Sequence, residues 1–464
     1  MTSKAYDAIV IGAGMSGMAA AIRLAMFDKK VLLLEKHVIS GGLNSYYRRA
    51  KREFDVGLHA LTNFAGAKEK NKPLKKLLKQ LRIPYEKLQL SEQSHSLIAF
   101  PEHTLRFDND INSLREDIFA KFPNEIDGFN KLTEYITDYN DVDLNAKYQS
   151  AKDLVREYIK SEQLLEMIFC PLMIYGSAWE HDMDFSQFAI MFKAIYLEGF
   201  SRPNGGVRTI INLLLEKLES TGAEVRFKTG VASINTKDGK VTSITTEKGE
   251  VIETQLVISS AGYPETMKMV ADNANDVAIG KMSFIESIAI SDKKPKDFDQ
   301  NATIIFYNND DKYHYQMPEK SFDNQSAVLC LPNNFKDDDY DEGILRITLM
   351  ANYKKWDSFS KEAYLAEKGL AFSEGMNIIS KFLPGITGDN ILFKDVFSPT
   401  TIKRYTGHFG GTVYGSTTKT RDGSTIVEGL KICGTDQGFL GIIGSALSGI
   451  SIANLYGLQG GGNK

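Results

Sequence analysis

Apolar residues dominate positions 6–11, Tyr6-Asp7-Ala8-Ile9-Val10-Ile11, and predict a short buried strand. This run passes straight into Gly12-Ala13-Gly14-Met15-Ser16-Gly17. An apolar helix is expected over 18–27, and a second strand, Val31–Leu34, ends on Glu35. Over 68–90 the pattern changes to that of an amphipathic helix. Leu74, Leu77, Leu78 and Leu81 fall at i, i+3, i+4 and i+7, with Lys70, Lys72, Lys75, Lys76, Lys79 and Arg82 between them. That pattern fits a surface helix with a solvated face, or a helix lying on a membrane surface. Short strands at 96–100 and 103–107 are followed by helices over 124–139 and 151–168. The stretch 185–196 is apolar on more than one face, as plain core or as the wall of an apolar cavity. A helix ending near Ser220 precedes a strand at 222–227. A meander follows (231–235, 241–246, 251–253) with turns at Asp238-Gly239 and Lys248-Gly249, and then a buried strand of parallel type at 256–262. Strand-like runs at 287–290, 302–307 and 344–350 alternate with acidic loops, such as Asn308 to Asp311 and Asp337 to Asp339. A helix over 361–382 and a strand at 430–436 complete the pattern, with a last helix entered through 438–446 and a Gly-rich tail at 460–462.

Composition narrows the class. With 464 residues, 42% of them hydrophobic, the chain can build two or three domains with a large core. A net charge of −4 argues against a dedicated nucleic-acid binder. The three cysteines, Cys170, Cys330 and Cys433, are far apart and odd in number, as free buried thiols in a reducing compartment would be. The seven histidines are scattered, and no His/Cys cluster has metal-ligand spacing. No leader pattern precedes the first strand, and no apolar run reaches the ~18 residues a spanning helix requires. A cytoplasmic chain is expected, with peripheral contact at a membrane surface as the alternative.

The chemistry sits in the first forty residues. In G-x-G-x-x-G, Gly12 permits the tight turn, Gly14 lets backbone approach a pyrophosphate, and Gly17 lets the helix pack on the strand. The helix N-terminus would face the phosphates. Glu35, 21 residues past Gly14, stands where a carboxylate can accept hydrogen bonds from ribose hydroxyls. The Gly41-Gly42 pair then offers a second close backbone pass. No second G-x-G-x-x-G with strand and acid exists for a separate nicotinamide cofactor.

Asp55-Val56-Gly57-Leu58-His59 resembles the D-x-G-x-H segment of the flavin amine oxidase superfamily, in its phytoene desaturase, carotenoid isomerase and retinol saturase branch. The middle segment, 203–262, and the C-terminal Gly434-Thr435-Asp436 with Gly441-Ile442-Ile443 are similar to flavin motifs of the same branch. The resemblance implies a Rossmann-type α/β domain that binds FAD non-covalently, in three chain segments (1–66, 199–287 and 394–464). It also implies an inserted α+β substrate domain (67–198 and 288–393). It assigns cofactor contacts to Gly12, Ala13, Gly14, Met15, Ser16, Gly17, Glu35, Lys36, Gly41, Gly42, Leu58, His59, Val231 on the adenine side, and Ala261. Gly434, Asp436 at the ribityl or pyrophosphate portion, Gly441, Ile442 and Ile443 complete that set.

His59, Tyr405 and His408 are the candidates for moving protons, with Glu180 and His181 as outside candidates. Cys433, in mid-strand, reads as a core thiol and not as a covalent flavin anchor. Leu43 stands where the branch often has Arg, so no charge contact is expected there. The implied activity is FAD-dependent redox chemistry on a long apolar, isoprenoid or polyene substrate, with hydride passing between substrate carbon and flavin N5. Alternatives are cis–trans isomerisation on reduced flavin, an amine oxidase with Tyr405 and Tyr414 as its aromatic pair, and a non-catalytic flavoprotein partner.

Overall fold

The structure, a computed structural model, describes residues 5–66, 68–270, 278–337 and 340–459. Asp338 and Asp339 of the expected acidic loop and the Gly-rich tail at 460–462 lie outside these residues. The first strand, β1 (Ala8–Ile11), leads into helix α1 (Met15–Ala25), which returns to β2 (Val31–Leu34). α1 starts three residues earlier than its apolar run suggests, because Gly14 serves as its N-cap. Around this unit five parallel strands form a sheet in the order Leu430–Ile432, Val257–Ser259, β1, β2, Glu224–Arg226. β1, β2 and Val257–Ser259 are buried throughout, because helices or the meander cover both faces of the sheet. The crossover between β1 and β2 is tight. A Cβ added to Gly17 would lie 1.9 Å from the Gly12 carbonyl oxygen, so only glycine lets α1 sit this close.

The expected meander forms as Val231–Lys237, Lys240–Thr246 and Val251–Glu253. A second large sheet has seven strands, ordered Ile391–Phe397, Ser283–Ser291, Gly343–Ala351, Ser326–Cys330, Ile304–Asn308, Ser96–Ala99, Thr104–Phe107. It is antiparallel except where Ile304–Asn308 runs parallel to Ser96–Ala99. Strands Ser283–Ser291 and Ile391–Phe397 both run across the expected segment boundaries at 287/288 and 393/394. Each belongs to this sheet as a whole. Ser326–Cys330 and Ile391–Phe397 extend the sequence expectation, as does Tyr46–Arg49, which pairs as a hairpin with Arg52–Asp55, the short strand expected to run into the turn at Gly57. The hairpin turns on Ala50 and Lys51, both at positive φ, and neither residue signals a turn by type.

Three helical expectations change. The helix over 151–168 is two helices, Ala151–Val155 and Glu162–Ile174, the second restarted by Ser161, whose side chain accepts from the Leu164 N–H. The Lys-rich helix is confined to Pro73–Leu81. Its four leucines are buried in the core shared by α1 and the final helix, so its apolar face is used internally. The apolar helix Phe185–Phe192, continued to Leu197, is plain core. Phe188 stacks on Phe169 at 4.6 Å and lies 5.8 and 5.9 Å from Phe185 and Phe192. None of its residues lines the large cavity described below; Ser186, Gln187 and Ile190 border only a small pocket of about 20 Å³.

The final helix Gly441–Ile452 corrects a further expectation. The window Gly441–Leu458 is 18 residues with mean hydropathy 1.3, long and apolar enough to cross a membrane by length and composition alone. Here it packs on α1 so closely that a Cβ at Gly449 would lie 2.0 Å from the Ser16 carbonyl oxygen. Its composition is that of a core helix with a small-residue contact face. All three cysteines are free and buried.

If 185–192 is core and not cavity wall, Phe188→Ala should cost about 3–5 kcal/mol of stability. It should leave ligand affinity unchanged. Urea denaturation and ligand titration of the same variant measure both, and a loss of affinity without loss of stability would reverse the assignment.

Candidate functional site

A cavity of about 1400 Å³ lies between the parallel sheet and the seven-stranded sheet. It exceeds the ~300–1,000 Å³ of ordinary small-molecule pockets, leaving room for a dinucleotide and a second ligand. Its walls come from the glycine turn, the loops at 35–49 and 56–62, the meander, the return strand and the C-terminal loops. The two ends differ in chemistry.

One end is polar. Glu35 is buried and accepts from the Ala13 N–H at 2.7 Å through one oxygen and from the His37 N–H at 2.8 Å through the other. Each carboxylate oxygen has a lone pair left for a hydroxyl. Lys36 and Val231 line the same end. Tyr405 is here too, more than half exposed and 5.2 Å from the ring of His37. His408 sits 3.6 Å from Glu265, beside Gly262. The structure thus separates Tyr405 and His408 from His59, the third expected proton carrier. Tyr405 and Tyr414 do not pair: the Tyr414 hydroxyl donates to the Ile174 carbonyl, and its ring meets Phe284 edge-on.

The waist of the cavity is built for an anion. Gly14 lines it, and a Cβ added there meets nothing within 4 Å, so any side chain would project into the open space. α1 begins at Gly14 with no side-chain cap and no acid in its first turn, so its leading N–H groups remain available. Gly12, Met15, Ser16, Gly41, Gly42, Ala261 and Gly434 line the same passage. Asp436 also lines it, yet its carboxylate works inside the protein. It accepts from the Tyr263 N–H at 2.6 Å and the Ser416 N–H at 2.7 Å, with the Lys419 ammonium 3.3 Å away. The aspartate expected at the ribityl or pyrophosphate portion thus lines the passage and at the same time joins three loops.

The other end is mostly apolar, lined by Ile174, Tyr175, Phe284, Val328, Val413 and Leu440. The N-terminus of the final helix opens onto it through Gly441 and Ile442, again without a side-chain cap. His59 stands at this end, its Nε2 3.0 Å from Thr348 Oγ1 and 3.7 Å from Glu286 Oε1. Burial pushes the imidazole pKa down, against the pull of Glu286, so the ring is neutral at neutral pH. Burial alone would raise the Glu286 carboxyl. The Arg346 guanidinium and His59 outweigh it and hold the group at about 2. Burial also pushes the Cys433 thiol up to about 12, as suits an inert core thiol.

Ala13, Gly17, Leu58 and Ile443, expected to touch the cofactor, stand behind the wall and support it. Glu180 pairs with Lys281 outside the cavity, and His181 is not part of its wall. Sequence reasoning missed a buried charge network. Arg202 pairs with Asp55, and Arg346 with Glu286. Both arginines donate to the Leu58 carbonyl, and Arg202 also to the His59 carbonyl at 3.1 Å. The available signal was a single charge in each of two nine-residue apolar strands, Glu286 in Ser283–Ser291 and Arg346 in Gly343–Ala351.

An uncapped helix N-terminus at a glycine waist, a ribose-height carboxylate and a second uncapped helix end at the far wall define a flavoprotein of the FAD-binding Rossmann class, and the residues present fit FAD. The Flavin containing amine oxidoreductase family matches residues 15–291, and the chain belongs to it. Among its relatives, the chloroplastic prolycopene isomerase of Daucus carota is 26% identical, over 97% of this chain and 80% of that one. The all-trans-retinol 13,14-reductase of Danio rerio is 22% identical over 88% and 77%. In fold, the chain matches an oxidoreductase from Methanosarcina mazei with a TM-score of 0.65, at 15% identity over 96% and 99% of the two chains.

Breaking one member of the buried network should be costly, because it strands a charge. Arg202→Leu is expected to lose about 3–5 kcal/mol in denaturant unfolding. Adding Asp55→Asn should restore part of that, since the orphaned carboxylate is then gone. A double variant no more stable than the single one would show that the pair does not act as a unit.

Proposed function

We propose that this protein is an enzyme acting on a carbon–carbon double bond of a long apolar polyene, carotenoid-like or retinoid, in the cavity's apolar end. Double-bond isomerisation is the favoured outcome and hydrogen transfer, in the saturase or desaturase sense, the second. Bound non-covalently, FAD supplies the redox centre that exchanges hydrogen or charge with the substrate carbon. Support for isomerisation comes from the prolycopene isomerase relative, which matches nearly the whole chain; support for saturation comes from the retinol reductase relative.

The observation that carries the reading is the charge balance of the apolar end. Its carboxylate, Glu286, is neutralised by Arg346, and Asp55 beyond it by Arg202. A desolvated ammonium would find no free anion there, and burying one unpaired costs several kcal/mol. A hydrocarbon chain meets no such cost. The family's name includes amines, so this balance is what separates the two substrate classes.

In this reading each chain residue has a task. The α1 N-terminus and Gly14 take the diphosphate, and Glu35 accepts from the ribose. Met15, Ser16, Lys36, Gly41, Gly42, Val231, Ala261 and Gly434 shape the passage. The N-terminus of the final helix at Gly441 and Ile442 stabilises negative charge on the flavin ring. Ile174, Phe284, Val328 and Leu440 exclude water and hold the polyene flat. His59 moves a proton at the substrate carbon.

Gly14→Val should abolish cofactor retention, leaving colourless protein. Glu35→Ala should weaken FAD by about 1.5–3 kcal/mol, read by fluorescence titration of apoprotein. Normal FAD occupancy in Gly14→Val would sink the cofactor placement. Substrate class is tested by anaerobic stopped-flow mixing of oxidised protein with amines, and of dithionite-reduced protein with polyenes and retinoids. The expected result is a spectral response or product from a polyene and none from simple amines. Rapid bleaching by an amine alone would replace this reading with an amine oxidase.

A further inference from the structure

The cavity's apolar end contains one neutral base, His59, and the structure holds it with unusual thoroughness. Its backbone carbonyl accepts from Arg202 at 3.1 Å and from the Cys330 thiol at 3.4 Å. The preceding carbonyl, of Leu58, accepts from both Arg202 and Arg346. On the ring, Nε2 lies 3.0 Å from Thr348 Oγ1 and 3.7 Å from Glu286 Oε1. Glu286 Oε1 in turn accepts from Arg346 Nε at 2.6 Å. Among the described residues Nδ1 has no hydrogen-bond partner, yet it is not sealed from solvent, and the ring lines the cavity. That nitrogen opens onto the ligand space.

We propose that Glu286 is a positioning residue: together with Thr348 it keeps the proton of neutral His59 on Nε2, so that Nδ1 is the atom that exchanges a proton with the substrate. The proposal rests on the reading of His59 as the proton carrier.

Electrostatics sets the tautomer. A carboxylate at 3.7 Å repels a lone pair and attracts an N–H, so the Nε2–H form is the stable tautomer of the neutral ring. Nδ1 then carries the lone pair. When Nδ1 takes a proton from a substrate carbon, the electron pair stays with the substrate and the Nε2–H stays where it was. The new positive charge lies beside Glu286. The groups facing the ring are Glu286 and Arg346 from two strands of the large sheet, Arg202 with its partner Asp55, Cys330, and the Tyr175 ring at 6.4 Å. Two cations and two anions cancel, so the proton on His59 would be the single net charge of this region. Burial lowers the imidazole pKa and keeps the base free at neutral pH, and Glu286 limits how far it falls.

The test uses holoprotein labelled with 15N at its seven histidines, with the His59 signals assigned by their loss in His59→Gln. The expected resting form has a protonated Nε2 and an unprotonated Nδ1. In Glu286→Gln the His59 titration should move down by about one pH unit or more, as loss of an anion at this range implies. The alkaline-side plateau of turnover with a polyene should extend to lower pH in parallel, with KM little changed. Thr348→Val should leave a mixture of tautomers.

Glu286→Gln strands Arg346, so Glu286→Gln with Arg346→Met is made alongside; it removes both charges, and mixed tautomers are expected there too. A resting Nδ1–H form would overturn the proposal, as would a titration unmoved by Glu286→Gln, or full turnover in His59→Gln. The tautomer and its titration are read without substrate, so they stand or fall separately from the polyene assignment.

Discussion

Two buried guanidinium groups meet at one backbone oxygen. Arg202 and Arg346 arrive at the Leu58 carbonyl from different parts of the chain, each carrying its own carboxylate. Stranding any one of these four charges in the interior costs several kcal/mol, so the network tolerates little displacement. It ties three things together: the segment at 55–59 that follows the dinucleotide motif, the strand Ser201–Pro203, and the second and third strands of the seven-stranded sheet. The cavity has a fixed width because its two walls share this joint. A neutral total charge is the second product of the same pairing. It makes the apolar end hospitable to a hydrocarbon even though a carboxylate stands in its wall.

The cavity is graded along its length. At the Glu35 end, the spare lone pairs of a carboxylate and a lysine await polar groups. At the waist an uncapped helix presents partial positive charge. At the far end aliphatic and aromatic side chains take over. A cofactor with a nucleotide at one end, a diphosphate in the middle and a flat ring at the other matches that gradient in order. The second uncapped helix, at Gly441, falls where the ring would lie. Its partial charge is unscreened, because neither Leu440 nor the first turn supplies a carboxylate or hydroxyl cap.

How far the sequence carried the reading follows from the range of each interaction. The β1–α1–β2 unit is local, and its glycines carry their geometry with them, so Gly12, Gly14, Gly17 and Glu35 were legible to the residue. The meander was legible through its turns, and the 22-residue helix Lys361–Phe382 falls on its expected bounds. Two kinds of feature were not. The Phe185–Phe192 helix is apolar on several faces whether it lines a tunnel or fills a core, and only its neighbours decide. Likewise nothing local tells that Glu286 and Arg346 face each other across a strand pair, or that Asp436 also accepts from two loop amides. His59 was nominated alongside Tyr405 and His408, and only the folded chain separates one from the other two.

The order of strands in the parallel sheet has a consequence for the birth of the molecule. Its edge strand, Leu430–Ile432, is among the last pieces of the chain, and the final helix after it packs on α1, among the first. Between them the chain leaves to build the whole of the seven-stranded sheet and then returns. Contacts of such separation form late, because the loop that must close runs from α1 to the helix at Gly441. During synthesis the glycine turn is therefore made early, while the wall that faces it across the cavity is still missing. The first half waits with an open sheet edge and an uncovered helix, surfaces prone to wrong partners. The cofactor's pocket is complete only when Gly441 and Ile442 have joined the glycine turn, which makes loading depend on the meeting of two segments far apart in the chain.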